Sequence, residues 1–200
     1  MSWKDKLEAQ RADPHGLAGW LVARLLLLQP AARARTRWAV SLLELKPADR
    51  VLDVGIGPGY STGLIAATVP EGLVVGVDRS ALMTSIARRR LRRYLRLRKV
   101  TLVCADVADL PRFDVSFDKV VSVDALNLES ESGALSRVRE RMTPGGRIVV
   151  LIQPRSEGAG AQALGSRIAE RLQAAGFERS EAHFTAAHSR LPAVCVTARA

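Results

Sequence analysis

Apolar residues gather into short runs along the chain, and the stretches between them hold apolar positions at helical spacing. Strand-like runs occupy residues 51–54, 73–78, 100–104, 117–124, 142–152, 177–186 and 192–198. The first, an apolar run that ends in the acid Asp53, reads as a buried parallel strand. Helices are predicted over 61–68 and 161–174, the latter stopped by Gly176. Another spans about 31–45 and ends before Pro47. The longest begins after Ser80 and runs through Arg98. Leu82, Ile86, Ala87, Leu91, Tyr94 and Leu95 form its apolar stripe at spacings of three and four. Strands alternating with helices predict an α/β domain, and two adjacent strand-like runs at the end predict a closing hairpin. A polar Gly/Ser linker at 155–160 precedes the tail, and neither a repeat nor an independent second domain is visible.

The turn after the first strand is the most informative local feature. Asp53 closes the run, and Gly55, Gly57 and Gly59 follow at alternate positions before a helix. Glycine suits a turn whose backbone must reach φ > 0 or approach a ligand closely. Strand-to-helix turns at the carboxyl ends of strands are where ligands of open α/β sheets bind. The dinucleotide pattern G-x-G-x-x-G would need glycine at position 60, where Tyr60 stands. A carboxylate beside the turn also fits a cationic ligand better than a pyrophosphate. Asp78 ends the second strand about 20 residues beyond the turn, the place of an acid that binds ribose hydroxyls. Its plain alternative is capping, with Ser80, of the following helix. Asp106 and Asp109 follow the third strand, where Asp is also an ordinary turn residue.

These segments, over about residues 47–153, resemble the class I S-adenosylmethionine-dependent methyltransferases, small-molecule type. The resemblance implies a Rossmann-like class I methyltransferase fold: a mostly parallel seven-stranded sheet with an antiparallel C-terminal hairpin and helices on both faces. It implies S-adenosyl-L-methionine as cofactor and S-adenosyl-L-homocysteine as product. Asp53, Gly55, Gly57 and Gly59 would surround the methionine moiety and Asp78 would hold the ribose. Arg79, Leu82 and Met83 would lie near the nucleoside, although Met83 at helical spacing also suits ordinary core. Asp106 would accept from the adenine amino group, with the Val107 N–H donating to the ring, and Asp124 ends the fourth strand beside the cofactor. Methyl transfer from a sulfonium needs positioning above all. A base is needed only if the acceptor must lose a proton. Candidates for that base are Asp124, Asn127, Glu129 and His15, with no assignment among them; His183 and His188 lie in the last hairpin.

Composition changes the picture in few places. Two hundred residues, 48% hydrophobic and 25% charged, suit one folded domain. An N-terminal helical lid or substrate segment is expected over 1–46 and the methyltransferase core over 47–200. The two cysteines, Cys104 and Cys195, sit in strand-like runs and read as core residues of a reducing compartment. No motif with metal-ligand spacing occurs, so no metal is expected, and no signal peptide is visible, so the location expected is cytoplasmic. The net charge of +10 comes largely from Arg33, Arg35 and Arg37 and from Arg88 through Arg98. Chiefly it predicts a solvated basic face, with an anionic membrane surface as the second reading. Aromatic residues make up 4% with none interleaved, and no Asn-Pro-Pro-Tyr type of motif follows the fourth strand; both count against nucleic acid. Residues 16–28 are apolar around Arg24, too short to span a bilayer, and read as a lid over the cleft or as an interfacial helix. Trp3, Trp20 and Trp38 fit either. The expected function is therefore methyl transfer to a small or amphiphilic molecule, with unknown oligomeric state. The alternatives are a phospholipid-type N-methyltransferase at the membrane surface, a non-catalytic cofactor-binding protein, and a nicotinamide-dependent oxidoreductase.

Overall fold

The structure, a computed structural model, describes residues 29–125, 133–154, 160–185 and 192–200. Seven strands form one sheet in the order β3-β2-β1-β4-β5-β7-β6. They are β1 (Arg50–Val54), β2 (Leu73–Asp78), β3 (Val100–Cys104), β4 (Phe117–Val123), β5 (Met142–Ile152), β6 (Glu178–Thr185) and β7 (Ala193–Arg199). The first five pair in parallel, and β7 runs antiparallel to both β5 and β6. The expected mixed sheet and closing hairpin are both present.

Alternation along the strands splits the core in two. Leu52, Val54, Val75, Val77, Val120 and Ile148 point to one face. There they meet α5 (Ala134–Arg139) and α6 (Ala161–Ala174) through Leu135, Ile168 and Leu172. Val51, Val74, Val121 and Val149 point to the other face. They meet Ala39 of α1 (Pro30–Ser41), Ile65 of α2 (Tyr60–Thr68) and Ala87 of α3 (Ala81–Arg90). Strand order reverses between β1 and β4, and the loops leaving those strands define the crevice in which ligands of such sheets sit. The opposite edge is tied by ion pairs, Arg50 with Asp118 at 3.2 Å and Arg147 with Glu44 at 2.8 Å.

The structure corrects several expectations. Helix α1 stops at Ser41 and not near residue 45, because its last turn tightens. The Ser41 hydroxyl donates to the Trp38 carbonyl at 2.7 Å, and Glu44 turns to φ +53°. The long basic helix breaks at Leu91 into α3 and α4 (Arg92–Arg96), since Leu91 leaves helical geometry at φ −93°, ψ 13° while staying 2% exposed. Cys195 is core, but Cys104 is exposed, because β3 is an edge strand and Cys104 is its last residue. The Pro-Gly turn expected before the fifth strand falls inside β5, at an irregularity where register slips between Phe117 and Lys119 and Gly145 has φ +75°. The first 28 residues lie outside the described set, as do 126–132, 155–159 and 186–191. The expectations for the lid helix, His15, Trp3, Trp20, Asn127, Glu129, His188 and most of the linker fall there.

Candidate functional site

The turn 55–59 joins β1 to α2 at the carboxyl edge of the sheet. Gly55, Gly57 and Gly59 have φ of +74°, +51° and +79°. A Cβ on Gly55 would stand 1.9 Å from that of Ala125, so this glycine lets the loops after β1 and β4 touch. A Cβ on Gly59 would press on Ala87 at 3.0 Å and Leu91 at 3.1 Å, so this one seats α2 against α3. A Cβ on Gly57 would meet nothing within 4 Å. That open side is a cradle of bare backbone.

Asp78 stands beside it. Its Oδ2 accepts from the Gly57 N–H at 2.7 Å and its Oδ1 from the Ser80 N–H at 2.9 Å. Burial pushes its pKa up, against the two backbone donors and Arg79. A carboxylate has about four lone-pair sites, so acceptor capacity remains for further donors such as hydroxyls. The expected capping role is shared: Ser80 is the N-cap of α3 and its Oγ accepts from Met83 N at 3.3 Å. The neighbouring strand ends are knitted to this point. Gly55 N donates to Val77 O at 2.7 Å and Ala105 N to Asp78 O at 3.1 Å.

Asp53, expected around the methionine moiety, is buried beneath the turn. It is 1% exposed, and its Oδ2 accepts from both Ser61 Oγ and Thr62 Oγ1 at 2.7 Å. Its side chain follows the strand's alternation to the face that α2 covers, beneath the turn, so it ties β1 to α2. Burial raises its pKa to about 6, with the two hydroxyls opposing and Asp78 adding to the rise.

The remaining candidates are spread round the same edge. Asp106 is half-buried and accepts from Ala108 N at 2.9 Å, capping the short 3-10 turn Val107–Asp109. Val107 packs into the core. Met83 is 4% exposed and Arg79 is exposed. Asp124 sits at φ +54° just past β4 and accepts from Gln153 N at 2.6 Å, fixing the ends of β4 and β5. Among the described residues, no cluster of three or more His, Cys, Asp or Glu could hold a metal ion.

A cluster not foreseen from the sequence surrounds Tyr60, the first residue of α2. Arg33 and Arg90 each lie 5.6 Å from its ring centroid, on α1 and α3, and Arg37 donates to its hydroxyl at 3.1 Å. Each cation–π contact is worth about 0.5–1 kcal/mol at such a site. The i, i+4 spacing of Arg33 and Arg37 was the signal available; that both meet Tyr60 is set by helix packing.

A methyltransferase-domain family model matches residues 51–146. An uncharacterized methyltransferase of Bacillus subtilis is 26% identical over 167 residues, covering 82% of this chain and 90% of that protein. A demethylmenaquinone methyltransferase of Symbiobacterium thermophilum is 38% identical over 114 residues, covering 56% of this chain and only 45% of that one. An S-adenosylmethionine-dependent methyltransferase from Aquifex aeolicus superposes with a TM-score of 0.69 at 18% identity, covering 88% of this chain and 96% of that chain.

Proposed function

We propose that the chain, whose residues 51–146 match a methyltransferase-domain model, is a class I S-adenosylmethionine-dependent methyltransferase that methylates a small or amphiphilic acceptor by in-line displacement. One observation carries the cofactor side of this reading. The Gly57 N–H, which a pyrophosphate would otherwise use, already donates to Asp78, beside an open cradle of backbone. A phosphate there would meet a carboxylate, whereas a nucleoside bearing a sulfonium meets a hydroxyl acceptor and a compatible charge. The residues present fit such a nucleoside.

In this reading Gly57 leaves room for the methionyl part and Asp78 accepts from the ribose. Asp106 with Val107 and the Arg79–Met83 segment flank the base. Asp53 is a positioning residue that acts through Ser61 and Thr62, and Asp124 positions the β4 and β5 ends. S-adenosylmethionine, when bound, supplies the methyl group from its sulfonium. The chain's part is to align the acceptor and exclude water, worth up to about 7–11 kcal/mol of barrier for a well-oriented pair.

Replacing Asp78 by alanine should weaken S-adenosylhomocysteine binding by about 1–3 kcal/mol in calorimetry, through loss of a charged acceptor. Unchanged affinity would remove Asp78 from the site, and tighter binding of NAD than of S-adenosylhomocysteine by the native protein would overturn the whole reading. A second reading, an acceptor dissolved in a membrane, is supported by the basic surface of α3 and α4 around Leu97, which is 59% exposed.

A further inference from the structure

We propose that Arg33, Arg37 and Arg90, gathered round Tyr60, bind a carboxylate or phosphate group carried by the methyl acceptor. The proposal rests on the methyltransferase reading for the identity of that ligand, but the cluster stands on its own geometry. Three elements converge on one half-buried ring: α1 brings Arg33 and Arg37, α3 ends in Arg90, and α2 begins with Tyr60. Tyr60 follows Gly59 directly, so the residue these guanidinium groups surround is the first after the glycine turn.

Three arginines elsewhere among the described residues have carboxylates beside them. Arg50 has Asp118, Arg147 has Glu44 and Arg141 has Glu140. Among the described residues, no carboxylate lies within ion-pair distance of Arg33, Arg37 or Arg90. Arg33 Nε is moreover buried without a hydrogen-bond partner, a cost that structures normally avoid. Three like charges on one ring repel, and the positive end of α2 points the same way. An oxyanion would relieve that repulsion, and the planar guanidinium fork matches carboxylate and phosphate oxygens bidentately. The methionyl end of the cofactor is a zwitterion with no net charge, a poor match for three uncompensated cations. An acidic acceptor is the better one.

The test is calorimetric titration of the S-adenosylhomocysteine-saturated protein with citrate and, separately, with inorganic phosphate. The native protein should bind at least one of them. Arg33→Gln with Arg37→Gln should weaken that binding about tenfold or more, and Arg90→Gln, on a different helix, should weaken it severalfold. Arg96→Gln, an exposed arginine outside the cluster, should change neither titration. S-adenosylhomocysteine affinity should stay within about twofold in all of them, with thermal melts confirming folding. No binding of either anion, or an equal loss in Arg96→Gln, overturns the proposal. A parallel fall in S-adenosylhomocysteine affinity also overturns it, since the arginines would then hold the cofactor's own carboxylate. Failure of the native protein to bind S-adenosylhomocysteine at all would instead remove the methyltransferase reading, and anion titration of the cofactor-free protein would still decide the cluster.

Discussion

Asp53 shows how one residue can serve a site from beneath it. A carboxylate that is 1% exposed and bonded to two hydroxyls holds the first turn of α2 to the end of β1. Burial costs its charged form more than Ser61 and Thr62 return, which lifts its pKa from 3.8 to about 6. The native protein therefore binds more protons than the unfolded chain between those values, so stability falls as pH rises through the window. The full difference is about 3 kcal/mol, present below pH 4 and lost above pH 6. Urea denaturation should show native minus Asp53→Asn stability declining across that interval. A difference independent of pH would mean that Asp53 is not buried as described. The type of residue was legible in the sequence, but which way it pointed was not: alternation along β1 turns it away from the cleft and leaves Asp78 as the acid at the turn.

At the scale of elements, the glycine turn works because two helices are keyed to it. Leu91 lies where a Cβ on Gly59 or Gly63 would come within 3.1 and 3.2 Å of its methyl carbons, so its side chain fills the space those glycines leave between α2 and α3. The break after α3 falls at this buried residue. Leu91→Ala should cost about 2–5 kcal/mol, the range for truncating a buried leucine, seen as a lower urea midpoint with an unchanged slope. A loss well under 1 kcal/mol would show that the two helices are not joined there. Periodicity predicted a single helix because the apolar stripe continues without interruption. The interruption is a matter of the dihedrals of one residue, φ −93° and ψ 13° at Leu91, which no period contains.

The whole molecule has a net charge of +10, unevenly placed. Residues 79–105 include eight arginines and one lysine with no Asp or Glu, and Arg88 to Arg98 are exposed on α3, α4 and the turn after them. No helix among the described residues is long and apolar enough to cross a membrane. Contact with a bilayer through this surface would therefore be peripheral and electrostatic. On the membrane reading, the protein should co-sediment with phosphatidylglycerol vesicles at about 0.05 M salt and be released near 1 M, where the Debye length shrinks to about 3 Å. Leu97→Asp should weaken the low-salt binding. Absence of sedimentation at low salt would leave the basic face as a solvated surface.

The sequence alone determined the strand–helix alternation, the positions of β1 to β3, the glycine turn with its flanking acids, and the antiparallel close of the sheet. Each is written in local period or local chain geometry, where neighbouring residues suffice. Only the tertiary structure decided that Asp53 sits under the turn while Asp78 takes the Gly57 N–H, that Cys104 is exposed at a sheet edge, and that three arginines meet Tyr60. Those facts depend on contacts between residues 8 to 30 positions apart, or on a strand's place in the sheet, and the packing of separate elements supplies both.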